Sequence, residues 1–164
     1  MIITGTLYVI FNRKGYKMRK LILALAIMLF GISAFAQTTS DLLTNYISVK
    51  DALVNSDSKS ALQATNVMYQ TLIGEENFVE NDELLKAVEK LSKANNIEKQ
   101  RTAFKDVSTA MWRLVKSSDQ IAQAVYYLYC PMKKANWLSF EKSIKNPYYG
   151  YSMLTCGNLE EMKN

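Results

Sequence analysis

Four stretches of this chain repeat apolar residues every three or four positions, which is the spacing of one face of an α-helix. The four faces are Leu42, Tyr46, Val49 and Leu53; Ala61, Thr65, Met68 and Leu72; Leu84, Val88 and Leu91; and Phe104, Val107, Met111 and Leu114. Each face is broad enough to pack against a shared core. We interpret Met68 and Met111 as core residues, because methionine fills irregular gaps between helices.

Polar breaks separate the four stretches. Asn55-Ser56-Asp57 follows the first stretch, Gly74 ends the second and Asn95-Asn96 ends the third. Such residues cap helices and form turns. Short connections favour antiparallel neighbours, so the pattern predicts an up-and-down four-helix bundle. The predicted fold class is therefore all-α.

The pattern changes after Ser117-Ser118. Residues Val125–Cys130 alternate in the manner of a strand, and Pro131 ends the alternation. The remainder has no regular period and includes the turn signal Asn146-Pro147. From about residue 119 we expect an irregular C-terminal cap, rich in aromatic residues, cysteine and methionine, that can include a short strand.

The N-terminal part has the pattern of a secretory signal peptide over residues 18–36. Arg19 and Lys20 are followed by an apolar run from Leu21 to Ile32, which is too short to span a bilayer, and then by the small-x-small site Ala34-Phe35-Ala36. We expect cleavage after Ala36, export to the periplasm, and contact with the membrane only through the signal peptide before cleavage. We interpret residues 1–17 as an artefact of an early start codon and residues 37–164 as a single helical domain.

Charge and composition exclude several classes of function. The chain has 20 Lys and Arg and 15 Asp and Glu, but five of the basic residues and no acidic residue precede Gln37. The exported chain would therefore be formally neutral, and nucleic-acid binding loses its support. The chain has no histidine, the commonest general base, and it has no nucleophile or phosphate-loop motif. We therefore expect a protein that is not an enzyme.

The cap contains both cysteines of the chain, each close to a methionine. Met132 follows Cys130 by two residues, and Met153 precedes Cys156 by three. Thiolate and thioether sulfurs are the ligands that Cu(I) prefers. The four residues therefore form a candidate site for Cu(I) or a related soft metal.

A disulfide between Cys130 and Cys156 is the alternative, since exported proteins lie where disulfides persist. It would close a loop of roughly 26 residues, for which the chain-entropy estimate is about 3–4 kcal/mol. Free buried thiols are a third alternative. A site that binds metal when reduced and closes as a disulfide when oxidised would reconcile the first two.

Several motifs in order resemble the exported bacterial family known as domain of unknown function 3347. The helical motifs are YISVKDALVNSD (Tyr46–Asp57) and QRTAFKDVSTAMWRLVKS (Gln100–Ser117). The cap motifs are YYLYCPM (Tyr126–Met132), WLS (Trp137–Ser139), IKNPYYG (Ile144–Gly150) and MLTCG (Met153–Gly157). The resemblance implies a helical, exported protein. It also implies a link to the periplasmic adaptor subunits of heavy-metal efflux pumps, and through them to copper.

We therefore expect a periplasmic, non-enzymatic accessory protein that binds Cu(I) or a related soft metal in heavy-metal efflux or homeostasis. Its metal ligands would be Cys130, Met132, Met153 and Cys156. Tyr127, Tyr129, Trp137, Asn146 and Tyr149 would line the site. The alternative is a disulfide-capped interaction module that docks on an efflux adaptor or another envelope protein.

Overall fold

The computed structural model describes residues 39–74, 82–119 and 121–164. These residues belong to one compact unit, Thr38–Asn164. The predicted signal peptide, its cleavage site and residues 1–17 lie outside the described residues. Of the helices in the described part, none has both the length and the apolar composition that a membrane span requires.

Four helices form the first two thirds of the unit, so the four predicted helices are confirmed. They are α1 (residues 39–54), α2 (Ser58–Ile73), α3 (Asp82–Ser92) and α4 (Ile97–Ser117). Asp57 caps α2 by accepting a hydrogen bond from the Ser60 backbone N–H, and Asn96 caps α4 in the same way through Lys99. Helix α3 packs against both α2 and α4.

The predicted apolar faces form the core between the helices. Every residue named for the four faces is buried, and Tyr46, Phe104 and Met111 are fully so. Tyr46 of α1 stacks on Phe104 of α4, with ring centroids 5.0 Å apart. The helical period in the sequence therefore identified the inner face of each helix correctly.

The all-α prediction is wrong, because the C-terminal part forms a three-stranded antiparallel sheet. Its strands are β1 (Val125–Cys130), β2 (Ala135–Ser139) and β3 (Asn158–Lys163), in the order β2-β1-β3. The predicted short strand corresponds to β1. The backbone N–H and C=O groups of β1 require hydrogen-bond partners on both sides. Strands β2 and β3 provide these partners, although their sequences lack a strand-like pattern.

The sheet packs directly on the helices and is not an irregular cap. Tyr127 of β1 stacks on Trp112 of α4, with ring centroids 4.6 Å apart and planes within 5°. Strand β2 also packs on α4. The helices and the sheet therefore share one hydrophobic core.

Residues 140–157 connect β2 to β3 and include a 3₁₀ helix, Gly150–Met153. Arg101 of α4 fixes this connection through its Nε, which donates to the Pro147 carbonyl at 2.9 Å. The same guanidinium donates through Nη2 to the Leu53 carbonyl at 3.1 Å and to Ser56 Oγ at 2.9 Å. One buried side chain therefore ties α4 to the end of α1 and to the loop that carries Asn146.

Candidate functional site: two cysteines around Asn146

Cys130 and Cys156 lie at the same end of the sheet. Cys130 is the last residue of β1, and Cys156 lies two residues before β3. Strands β1 and β3 are antiparallel, with Tyr129 opposite Asn158. The pairing therefore brings together two cysteines that are 26 residues apart in the sequence.

The side-chain amide of Asn146 lies between the two cysteines. Its Nδ2 donates to Cys130 Sγ at 3.2 Å and to the Cys156 carbonyl at 2.8 Å. Its Oδ1 accepts a hydrogen bond from the Tyr148 backbone N–H at 2.8 Å. Asn146 is fully buried, so these bonds replace its bonds to water. Asn146 was predicted only to line the site, and its position as the bridge was not.

The two thiols differ in their access to solvent. Both are free in the structure, with Cys130 buried and Cys156 partly exposed. Cys130 is opposite Ala135 on β2. Cys156 is therefore the more accessible of the two thiols.

The two predicted methionine ligands are placed differently. Met153 is partly buried, and its carbonyl accepts a hydrogen bond from the Cys156 backbone N–H at 3.1 Å, which closes a tight turn between them. Met132 lies in the turn between β1 and β2 with 62% of its surface exposed. Met153 is therefore close to Cys156 in a compact turn, whereas Met132 extends into solvent.

Trp137 forms a wall beside the pair. It is fully buried, and a Cβ built on Gly157 would lie 2.7 Å from its Cη2 atom, so the indole packs directly against the residue after Cys156. The Trp137 Nε1 is buried without a hydrogen-bond partner among the described residues. Gly157, at φ 153°, permits this close approach because it has no side chain.

The three predicted tyrosines have different surroundings. Tyr129 carries the carbonyl that Gly157 approaches, so its backbone borders the pair. Tyr149 lies under Lys133, whose Nζ is 4.9 Å from the ring centroid. Tyr127 instead packs on Trp112, on the helical side, and burial raises the pKa of its phenol. Tyr127 therefore belongs to the core rather than to the wall of this site.

Tyr148 is an aromatic wall residue that the sequence analysis did not select. It makes an edge contact with Trp137 at 6.3 Å and donates from its hydroxyl to the Asn136 carbonyl. Burial raises the pKa of Tyr148 well above its usual value, so the phenol stays neutral. Tyr149 and Tyr151 are tyrosines of the same short stretch, so the sequence alone does not indicate that Tyr148 is the buried one.

The similarity to a known protein family covers the four helices. The model of the family described as "Protein of unknown function (DUF3347)" matches residues 42–123. The chain belongs to this family. The match spans α1 to α4 and ends before β1, so Cys130, Asn146 and Cys156 lie beyond the matched residues. No curated protein and no solved structure matches the chain.

The donors available in this DUF3347 chain restrict its metal chemistry. In the described ranges, no three side chains among Asp, Glu, Cys and His lie close enough to hold a metal ion. The sulfur donors that lie near one another are the two cysteines, with Met153 beside Cys156. A set of this kind suits a soft cation of low coordination number and does not suit Mg²⁺ or Ca²⁺.

Proposed function

We propose that this chain is an exported, non-enzymatic accessory protein that binds Cu(I) or a related soft metal ion in heavy-metal efflux or homeostasis. The ligands are the thiolates of Cys130 and Cys156, with the Met153 thioether as a third donor. The observation that carries the proposal is the Asn146 amide, which contacts Cys130 Sγ and the Cys156 carbonyl at once.

The bond from Asn146 to Cys130 Sγ favours a metal-bound thiolate. A thiol gives up its proton when it binds a metal, so the bound sulfur is a thiolate. An N–H donor aimed at the sulfur is the kind of contact that holds and orients a metal-bound thiolate. Asn146 would therefore orient Cys130 and stabilise it in its charged form.

Met132 is a weaker candidate than the other three sulfurs. It lies in a turn and is 62% exposed, so binding a buried metal would require it to fold back over Pro131. Exposed methionines in such a position suit contact with a partner protein. We therefore assign Met132 to the surface and leave three sulfur ligands.

Cu(I) binding to the reduced, full exported chain under anaerobic conditions tests the proposal. We expect about one Cu(I) per chain in competition with a chromophoric chelator, consistent with the preference of Cu(I) for thiolates. Cys130→Ser with Cys156→Ser should abolish binding, and Met153→Leu should weaken it. Met132→Leu is the matched control and should leave the affinity unchanged. If the reduced protein takes up no copper, the metal-binding proposal is wrong.

The second candidate is an interaction module whose cap is closed by a Cys130–Cys156 disulfide. Four exposed apolar side chains on the same C-terminal part favour it: Met132 at 62%, Tyr151 at 71%, Met162 at 50% and Leu159 at 40%. Thiol counting on protein purified from the periplasm distinguishes the candidates. No reactive thiol, together with copper-independent recovery of an efflux adaptor, would favour the interaction module.

A further inference from the structure

A cavity of about 230 Å³ opens between α4 and the turn that joins β1 to β2. Its walls are Arg101, Thr102 and Lys105 from α4, Lys133 and Ala135 from the hairpin, and Tyr148. Three of these six side chains are cations. Among the described residues no carboxylate lines the cavity.

Arg101 brings a buried positive charge to the wall. It is 8% exposed, and three of its four hydrogen bonds go to neutral oxygens, those of Pro147, Leu53 and Ser56. Its single carboxylate contact in the described part is Glu98, 3.3 Å from Nη1 and 69% exposed. A guanidinium has five N–H donors, so one N–H of Nη1 remains without a described partner.

The two lysines of the wall form no ion pair with the residues that the structure describes, unlike two lysines at positions 90 and 93. Lys90 pairs with Asp106 at 2.8 Å, and Lys93 pairs with Glu89 at 2.6 Å. Neither Lys105 nor Lys133 forms an ion pair with a described residue. Lys133 is instead held over the face of Tyr149, a neutral partner that leaves its charge uncompensated.

We propose that this cavity binds a phosphate-type dianion, either inorganic phosphate or a phosphate monoester. Two lysines without an ion-pair partner in the described ranges, and a guanidinium N–H without an acceptor there, match the charge and the acceptors of such a group. Ala135 and the ring of Tyr148 form an apolar wall that can contact the substituent of a monoester. The cavity shares Tyr148 with the wall of the cysteine site but includes none of its sulfur donors, so we expect phosphate to bind without metal.

Calorimetric titration of inorganic phosphate into the full, metal-free chain at constant ionic strength tests this site. We expect saturable binding of one phosphate, weakened about three- to fivefold by Lys105→Gln or by Lys133→Gln, as for exposed charge pairs. Lys142→Gln removes the same charge from an exposed lysine outside the cavity and is the matched control. Arg101 is left intact because it holds the fold together.

Two outcomes would overturn the proposal. One is the absence of saturable phosphate binding, with no amide shifts at Lys133 and Ala135 in NMR spectra. The other is equal weakening by all three lysine variants, which would indicate only general attraction to a positive surface. Persistence of binding in the Cys130→Ser, Cys156→Ser double variant is expected and would separate this site from the sulfur site.

Further titrations distinguish the source of the phosphate group. Tighter binding of glycerol 3-phosphate than of inorganic phosphate would indicate a monoester, and equal binding would indicate the free ion. Acetate, a monoanion, should bind more weakly than either. Binding to phosphatidic acid vesicles without binding to free phosphate or its ester would contradict a small-ligand cavity.

Discussion

The backbone N–H of Leu138 donates to the phenolic oxygen of Tyr46 at 3.0 Å, across 92 positions of sequence. Leu138 belongs to β2, an edge strand of the described sheet, so Tyr46 supplies a partner that a neighbouring strand would otherwise provide. The Tyr46 hydroxyl lies 2.8 Å from Ser108 Oγ, which donates to the Phe104 carbonyl. The hydrogen bonds therefore run in one direction, from β2 through α1 to α4.

Tyr46→Phe should destabilise the fold by about 1–3 kcal/mol, because it leaves the buried Leu138 N–H without a partner. Ser108→Ala should cost less, since Tyr46 still accepts from Leu138. The double variant should lose less than the sum of the two losses, because both act on one chain of bonds. Urea unfolding of the four proteins measures the coupling, and strict additivity would contradict it.

Gly150→Ala should destabilise the fold by about 1–3 kcal/mol, because Gly150 has the left-handed φ of +56°, which a side chain strains. A Cβ there would also lie 2.7 Å from Arg101 Nη2 and 2.8 Å from the Val54 carbonyl. Gly74 is the matched control, since its φ is −77° and its closest Cβ contact is 3.3 Å. Thermal unfolding should show a clear loss for Gly150→Ala and little change for Gly74→Ala. Equal effects would show that Arg101 and its loop adapt.

The helices could be predicted from sequence because their signal is local. Leu42, Val49 and Leu53 recur at helical spacing, and all three are fully buried. The same signal identified Tyr46 as a core residue. It could not reveal the bond to Leu138, because that bond depends on where a distant strand packs.

The sheet could not be predicted in full because two of its strands lack a strand pattern. Strand β3 has the sequence NLEEMK, and its residues are exposed or only partly buried, so no buried face imposes a two-residue period. It forms because β1 offers unpaired backbone groups beside it. The bridging role of Asn146 could not be predicted either. The pair Asn146-Pro147 indicates a turn, but it does not indicate what the Asn146 side chain contacts.

Acid should weaken the cap of α2, and Asp57→Asn should remove that pH dependence. Hydrogen bonds from the Ser60 backbone N–H and hydroxyl lower the pKa of Asp57 from its usual 3.8. A lowered pKa in the folded state gives stability that is present above 3.8 and is lost as the pH falls through the folded value. Asparagine also caps helices but does not titrate in this range.

Melting temperatures at neutral pH and below 3.8 provide the measurement for Asp57. The native chain should be more stable than Asp57→Asn at neutral pH, and the difference should shrink in acid. Asp57→Ala removes the cap and should be the least stable of the three at neutral pH. A constant difference between the native chain and Asp57→Asn would show that the carboxylate charge does not contribute.

Asn146→Asp should remove the hydrogen-bond link between the two cysteines, with almost no change in the shape of the side chain. The carboxylate keeps an acceptor for the Tyr148 N–H but loses both donated bonds, to Cys130 Sγ and to the Cys156 carbonyl. Its charge would be buried beside oxygen and sulfur, so we expect a loss of about 2–3 kcal/mol in unfolding free energy. Cu(I) affinity should fall as well, because a second negative charge opposes formation of the thiolate.

Thiol reactivity distinguishes positioning by Asn146 from a general loss of stability. Cys130 in Asn146→Asp should react more slowly with a thiol reagent under conditions where the protein stays folded, because a carboxylate beside its sulfur opposes the thiolate, which is the form that reacts. A general loss of stability would instead speed the reaction. Asn45→Asp is the matched control, since its amide makes only a 3.4 Å contact with Thr71 and lies far from the pair in sequence. If both variants react at the native rate, Asn146 does not hold Cys130, and the cysteines are paired by the strands alone.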